Sequence, residues 1–190
     1  MSATEPIRNK KQLQELSNYF LIRGQYRNHT MIVLGACTAL RISDLLRLRW
    51  DQVYDESRSR FFTHLRVIEH KTGKSKTIAL SPKAVESLRL LYQNHKGNYI
   101  FSNGRRNDAP ISRVQAWRII TAAVAAVGIL GKIACHSLRK TFGYHAWTEK
   151  RISPVVLMEI YNHSNYETTR RYLGITQDEL DSAYLGVELF

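Results

Sequence analysis

The chain has 190 residues with a hydrophobic share of 44% and a charged share of 23%, enough for one well-buried domain and unlike a disordered or collagenous polymer. Its 28 Lys and Arg against 16 Asp and Glu leave a formal charge of +12, spread along the whole chain, which suits a folded surface that grips a phosphate backbone. The apolar runs near 31–40 and 121–130 are too short to span a bilayer, and the first residues lack an apolar leader, so no membrane partner and a cytoplasmic location are expected.

In chain order, Asn9 is placed to cap a helix carrying Leu13, Leu16 and Phe20 at helical spacing. A second helix is expected over about 28–38. A short third follows, with Ser43 as its cap and Leu45, Leu46 and Leu48 facing inward. From Phe61 to Glu69 β-branched and aromatic residues accumulate, and Lys76 to Leu80 can pair back onto them across a turn containing Gly73. Ser81-Pro82 opens another helix, with a cap and then Pro at the first position. Asn103-Gly104 and Asp108-Ala109-Pro110 mark a loop. Long helical patterns cover about 112–127 and 136–149, and shorter ones begin near Ser153-Pro154, Asn165 and Gln177. The expected class is α+β, mostly helical with a small antiparallel β-sheet. Cys37 and Cys135 form no Cys-x-x-Cys pair and have apolar neighbours, which reads as two buried free thiols.

Four separated segments hold reactive groups. Arg41 lies in Leu40-Arg41-Ile42-Ser43-Asp44-Leu45, at the entry to a helix. Lys71 precedes the Thr72-Gly73 turn of the hairpin, with Lys74 and Lys76 as rivals for its role. His136 and Arg139, three residues apart, share one helical face. His163-Ser164 is followed by Tyr172, nine residues beyond His163, with Tyr161 and Tyr166 as nearby alternatives. Each segment alone has an ordinary structural reading.

Jointly they resemble the tyrosine recombinase, or phage integrase, family. Its pattern is an Arg in a Leu-Arg-x-Ser-Glu/Asp-Leu box, a hairpin Lys, His-x-Leu-Arg, and His-Ser with Tyr nine residues on. The separations here are 95 residues from Arg41 to His136 and 24 from Arg139 to His163. The resemblance runs from about residue 10 to 180. Two positions depart from it: Ala39 and Asn162 stand where Gly is usual, and Asn162 tolerates left-handed backbone. About 40 residues precede Arg41 and read as the catalytic domain's own first helices. One catalytic domain over 1–190 is therefore expected, without the family's N-terminal DNA-binding domain, and Met1 favours a stand-alone protein over a fragment.

The resemblance implies site-specific DNA breakage and rejoining through a 3′-phosphotyrosyl bond to Tyr172. Tyrosine's phenol can attack phosphorus and later leave as phenolate. Arg41 and Arg139 would hold the non-bridging oxygens. Lys71 would protonate the leaving 5′ oxygen, His136 would assist the tyrosine's proton, and His163 would donate to the phosphate. The Tyr172 ester conserves the phosphodiester's energy, so no ATP and no other cofactor is required. The boxes offer Asp44 but no converging carboxylates, so no metal is expected. Arg105, Arg106 and Arg113 are candidate DNA contacts. Double-stranded DNA is the implied partner, with a homotetramer assembled on it through the apolar tail 184–190 and accessory DNA-binding proteins possible. A type IB topoisomerase-like enzyme would instead relax supercoils without strand exchange. A non-catalytic accessory module would survive Tyr172→Phe.

Overall fold

The computed structural model describes residues 4–94, 97–104, 108–173, 181 and 184–187. Its helices are α1 (Lys10–Leu21), α2 (Tyr26–Cys37), α3 (Ile42–Leu46), α4 (Pro82–Gln93), α5 (Arg113–Ala126), α6 (Cys135–Thr148), α7 (Pro154–Tyr161) and α8 (Tyr166–Leu173). Two antiparallel hairpins lie between α3 and α4. A small one pairs β1 (Tyr54–Asp55) with β2 (Arg60–Phe61), and a longer one pairs β3 (His64–Ile68) with β4 (Ser75–Ala79). The mostly helical α+β expectation holds, and the β1–β2 hairpin was not foreseen. A helix near Gln177 falls outside the described residues.

The local chemistry explains most boundaries. Asn9 accepts from the Lys11 amide at 2.8 Å, Ser81 from Ala84, Ser112 from Gln115 and Ser153 from Val156, each satisfying an orphan first-turn donor. Ser43 is not the cap of α3. Arg41 holds that position in extended conformation, its carbonyl accepting from Asp44 and Leu45, while Ser43 lies inside the helix. Leu45, Leu46 and Leu48 are buried as expected. In β3 the alternation is strict: Leu65 and Val67 are buried, Arg66 and Ile68 are exposed. The period continues to Glu69, which is therefore drawn inward. Gly73, at φ +65°, makes the turn that returns the chain to β4. Both cysteines are free and half-buried, and burial pushes the Cys37 thiol up and the Cys135 thiol to about 11.

Apolar side chains gather in two clusters. The larger joins α1 to α6 and the β3–β4 hairpin; the smaller comprises Ala39, Ala146, Leu157, Tyr161 and Leu173. Helix α6 belongs to both, through Leu138 on one side and Ala146 on the other. Its glycine Gly143 lies against the Tyr161 ring, where an added Cβ would collide with the hydroxyl and come within 3.1 Å of Cζ. Gly143→Ala is expected to destabilise the fold by about 1–3 kcal/mol through overpacking. Urea unfolding should show a lower midpoint with an unchanged slope.

Candidate active site

The seam between the two clusters brings together side chains from five places in the sequence. Arg41 stands at the head of α3. His136 and Arg139 project from the first turns of α6, where the Ser137 hydroxyl accepts from the Ala134 amide at 3.0 Å. His163 follows the end of α7, which stops at Asn162 in left-handed conformation (φ 53°). Tyr172 lies on α8 between buried Thr169 and Leu173, three residues on from one and next to the other. Lys76 and Glu69 enter from the β3–β4 hairpin.

Arg139 is buried to 1% exposure. Its Nη1 donates to the Ala39 carbonyl and its Nη2 to the Tyr161 carbonyl at 2.9 Å. The guanidinium lies 4.7 Å above the Tyr161 ring and 5.8 Å from the Tyr172 ring. Tyr161 returns a bond from its hydroxyl to the Arg139 carbonyl at 2.9 Å. Tyr172 is walled by aromatic rings: Tyr161 at 4.8 Å, His163 at 4.9 Å and His136 at 5.1 Å between centroids. Of the three neighbouring tyrosines, Tyr161 is fully buried with a committed hydroxyl, and Tyr166 sits exposed at the start of α8. Tyr172 is the one placed among both histidines and Arg139.

Behind the arginines lies Glu69, with no exposed surface. Its Oε2 is 2.8 Å from Arg41 Nη1 and accepts from Asn162 Nδ2 at 2.9 Å and Thr72 Oγ1 at 3.0 Å. Its Oε1 is 4.0 Å from both Arg139 Nη1 and Lys76 Nζ. Burial opposes its charge, but the bonds from Asn162, Arg41 and Thr72 prevail and hold its pKa below the ordinary carboxylate value. Asp44 accepts from the His70 amide at 3.1 Å, tying the hairpin to α3. Lys76 donates to the Ile160 carbonyl, and burial, then the charge of Arg139, lowers its pKa to about 8. Arg41 Nη1, Arg139 Nε, Asp44 Oδ2 and Glu69 Oε1 are buried without a well-aligned hydrogen bond among the described residues, so Arg41 meets Glu69 as an ion pair.

The histidines are held neutral. Burial, then Arg139 and Arg41, push His163 down to about 4, and desolvation, Arg139, Lys140 and Arg41 do the same to His136 although one side of it is open to solvent. His163 Nδ1 is 3.0 Å from Thr169 Oγ1, which leaves Nε2 for an incoming group.

Five of the six expected site residues thus converge. Lys71 does not enter the cluster. It sits exposed at the hairpin tip, on an open groove of about 660 Å³ that it shares with Arg41, Arg47, His70 and Arg113. Arg113 is exposed at the first turn of α5, and Arg105 and Arg106 lie outside the described residues. Sequence reasoning missed Glu69 and Tyr161 as site residues. Glu69 had a readable signal, a charge at an inward position of the β3 alternation. Tyr161 had none.

The phage integrase family model matches residues 8–179. The chain belongs to the phage integrase family. The probable integrase/recombinase YoeC of Bacillus subtilis is 35% identical over 184 residues, with 97% of each chain covered. The tyrosine recombinase XerD of Lacticaseibacillus casei is 25% identical over 166 residues, with 83% of this chain but 54% of that protein covered. The integrase-family chain therefore spans about half of XerD and nearly all of YoeC. Among solved structures, XerA recombinase superposes with a TM-score of 0.75 at 18% identity, covering 97% of this chain and 66% of that one. XerH bound to its difH substrate after cleavage gives 0.74 at 17%, covering 97% and 53%. By family and fold the protein is an enzyme of the tyrosine recombinase type. No described helix is long and apolar enough to cross a membrane.

Because His136 and His163 titrate near 4 when folded and about 6.5 when unfolded, the unfolded chain takes up protons first on acidification. Their contribution to stability is complete above about pH 6.5 and is lost progressively towards pH 4. NMR titration of the ring protons should give both low midpoints, and urea unfolding should show stability falling over that window. His163→Gln should flatten the fall.

Proposed function

We propose that this integrase-family enzyme performs site-specific recombination by cutting DNA with Tyr172, forming a 3′-phosphotyrosyl bond that a second 5′-hydroxyl later displaces. The observation that carries this reading is the convergence of Arg41, Arg139, His136 and His163 around Tyr172 in a seam with excess positive charge. Arg41, Arg139 and Lys76 supply three cations there against the carboxylates of Glu69 and Asp44. A phosphate diester is the anion that such a site lacks.

The Tyr172 oxygen bonds to phosphorus as the bond to the 5′ oxygen breaks. His136, neutral at pH 7, takes the phenol proton, and Lys71 on the groove rim gives a proton to the leaving 5′ oxygen. Arg41 and Arg139 stabilise the non-bridging oxygens, and His163 Nε2 donates to one of them. Lys71 suits the acid's role better than Lys76, whose ammonium is already committed to the Ile160 carbonyl. No cofactor or metal takes part in these steps. The groove lined by Arg41, Arg47, Lys71 and Arg113 receives the backbone of double-stranded DNA; Arg105 and Arg106, which lie outside the described residues, keep their assignment as DNA contacts from the sequence alone. We assign a homo-oligomer, a tetramer on DNA, as the working form: Tyr184, Leu185 and Val187 are exposed apolar residues near the end of the chain, and a lambda integrase dimer bound to a core site is among the structural relatives, with a TM-score of 0.69. The setting is the cytoplasm, with one catalytic domain per chain and room for accessory DNA-binding proteins.

Nicked suicide DNA from sequence flanking the gene, incubated with the protein and run on denaturing gels, should yield a covalent adduct. Tyr172→Phe should abolish it, and Arg139→Ala should slow it by at least about 100-fold. Adduct that persists in Tyr172→Phe would refute the nucleophile. For binding, Arg113→Ala should weaken affinity similarly on all sequences and reduce the salt slope by about one, as read by fluorescence anisotropy across a salt series.

A further inference from the structure

Glu69 reaches both sides of the seam without reaching the groove. It meets Arg41 and Thr72 on the hairpin side and Asn162 on the α7 side, and none of its surface is exposed. It therefore acts through other residues and not on DNA. The hairpin itself does not need the charge. Leu65 and Val67 occupy the same inward face, and an apolar residue at 69 would spare the desolvation of a carboxylate. Asn162 is equally particular. Its left-handed backbone admits Gly or Asn at low cost, and only Asn brings an amide that donates to Glu69 at 2.9 Å. The next residue is His163.

We propose that Glu69 and Asn162 form a positioning couple that sets Arg41 and His163 against the same phosphate. The inference rests on the recombinase reading above. A carboxylate between Arg41 and Arg139 offsets their mutual repulsion and orients Arg41, while the Asn162 amide ties that carboxylate to the turn that aims His163. Hairpin and α7 end are thereby held in one register.

The test measures single-turnover adduct formation on nicked suicide DNA at saturating protein, with DNA affinity and thermal unfolding recorded for each variant. Glu69→Gln and Asn162→Gly should each slow the adduct about tenfold or more, as expected for losing a bond to a charged group. DNA affinity should hold, and the double variant should be no slower than the slower single one. Asn162→Asp sets a second carboxylate against Glu69. Its rate relative to Asn162→Gly should climb from about pH 8 to about pH 6, as a shared proton replaces the amide hydrogen. The charged and titratable groups facing the couple are Arg41, Asp44, Lys76, His136, Arg139 and His163. All are present in both variants, so their own titrations largely cancel in the ratio, which reports the new carboxylate and its coupling to them. If Glu69→Gln does not fold, the two Asn162 variants carry the test, since they leave the buried carboxylate in place. Additive losses in the double variant, or a ratio flat with pH, would overturn the couple. A wild type that forms no Tyr172 adduct would instead remove the recombinase reading itself.

Discussion

Arg139 carries a permanent positive charge into the protein interior, and the architecture around the seam is organised to make that tolerable. A guanidinium taken out of water loses several kcal/mol of hydration unless its donors find partners. Two of its nitrogens find carbonyls, one on Ala39 before α3 and one on Tyr161 at the end of α7, and the Tyr161 ring covers its face. These partners are 100 and 22 residues away in sequence. Satisfying one side chain therefore fixes three segments relative to each other. Those segments are the ones that carry Arg41, His163 and Arg139 itself.

The backbone pays for this at two points. Ala39 has φ 55° and Asn162 φ 53°, both in the left-handed region that costs an alanine roughly 1–2 kcal/mol. One residue is itself a clamp carbonyl and the other directly follows one. At these two left-handed turns the carbonyls of Ala39 and Tyr161 face Arg139 on α6.

Electrostatics then set the protonation of the site. Burial first, and then the cations that surround the seam, keep both histidines neutral and lower the pKa of Lys76, so the free enzyme rests short of negative charge. Glu69 offsets part of that deficit from behind, without occupying the groove. The Tyr172 ring is packed on three sides by Tyr161, His136 and His163, and buried Leu173 anchors the helix that bears it.

Read as a sequence, the chain disclosed its class, its caps at Asn9 and Ser81, the helix starts near Ser112 and Ser153, and five of the residues that converge, because caps, periodicity and motif spacing are local or ordered along the chain. Lys71 and Lys76 could not be separated by proximity to the turn. The two-residue period of β4 turns Lys76 inward with Ile78, while Lys71 stays at the rim, and which face is inward depends on what the hairpin packs against. Ser43 had the chemistry of a cap, yet Arg41 takes the N-cap position in extended backbone and Ser43 falls inside the helix. The roles of Glu69, Tyr161 and the Asn162 amide came only from the tertiary structure. The β3 period turns Glu69 inward, but the partners of these residues lie tens of residues away, so no local pattern says what they meet. What the sequence determined was which reactive groups exist and in what order; what folding decided was which of them share one low-dielectric seam, because that depends on long-range packing around Arg139.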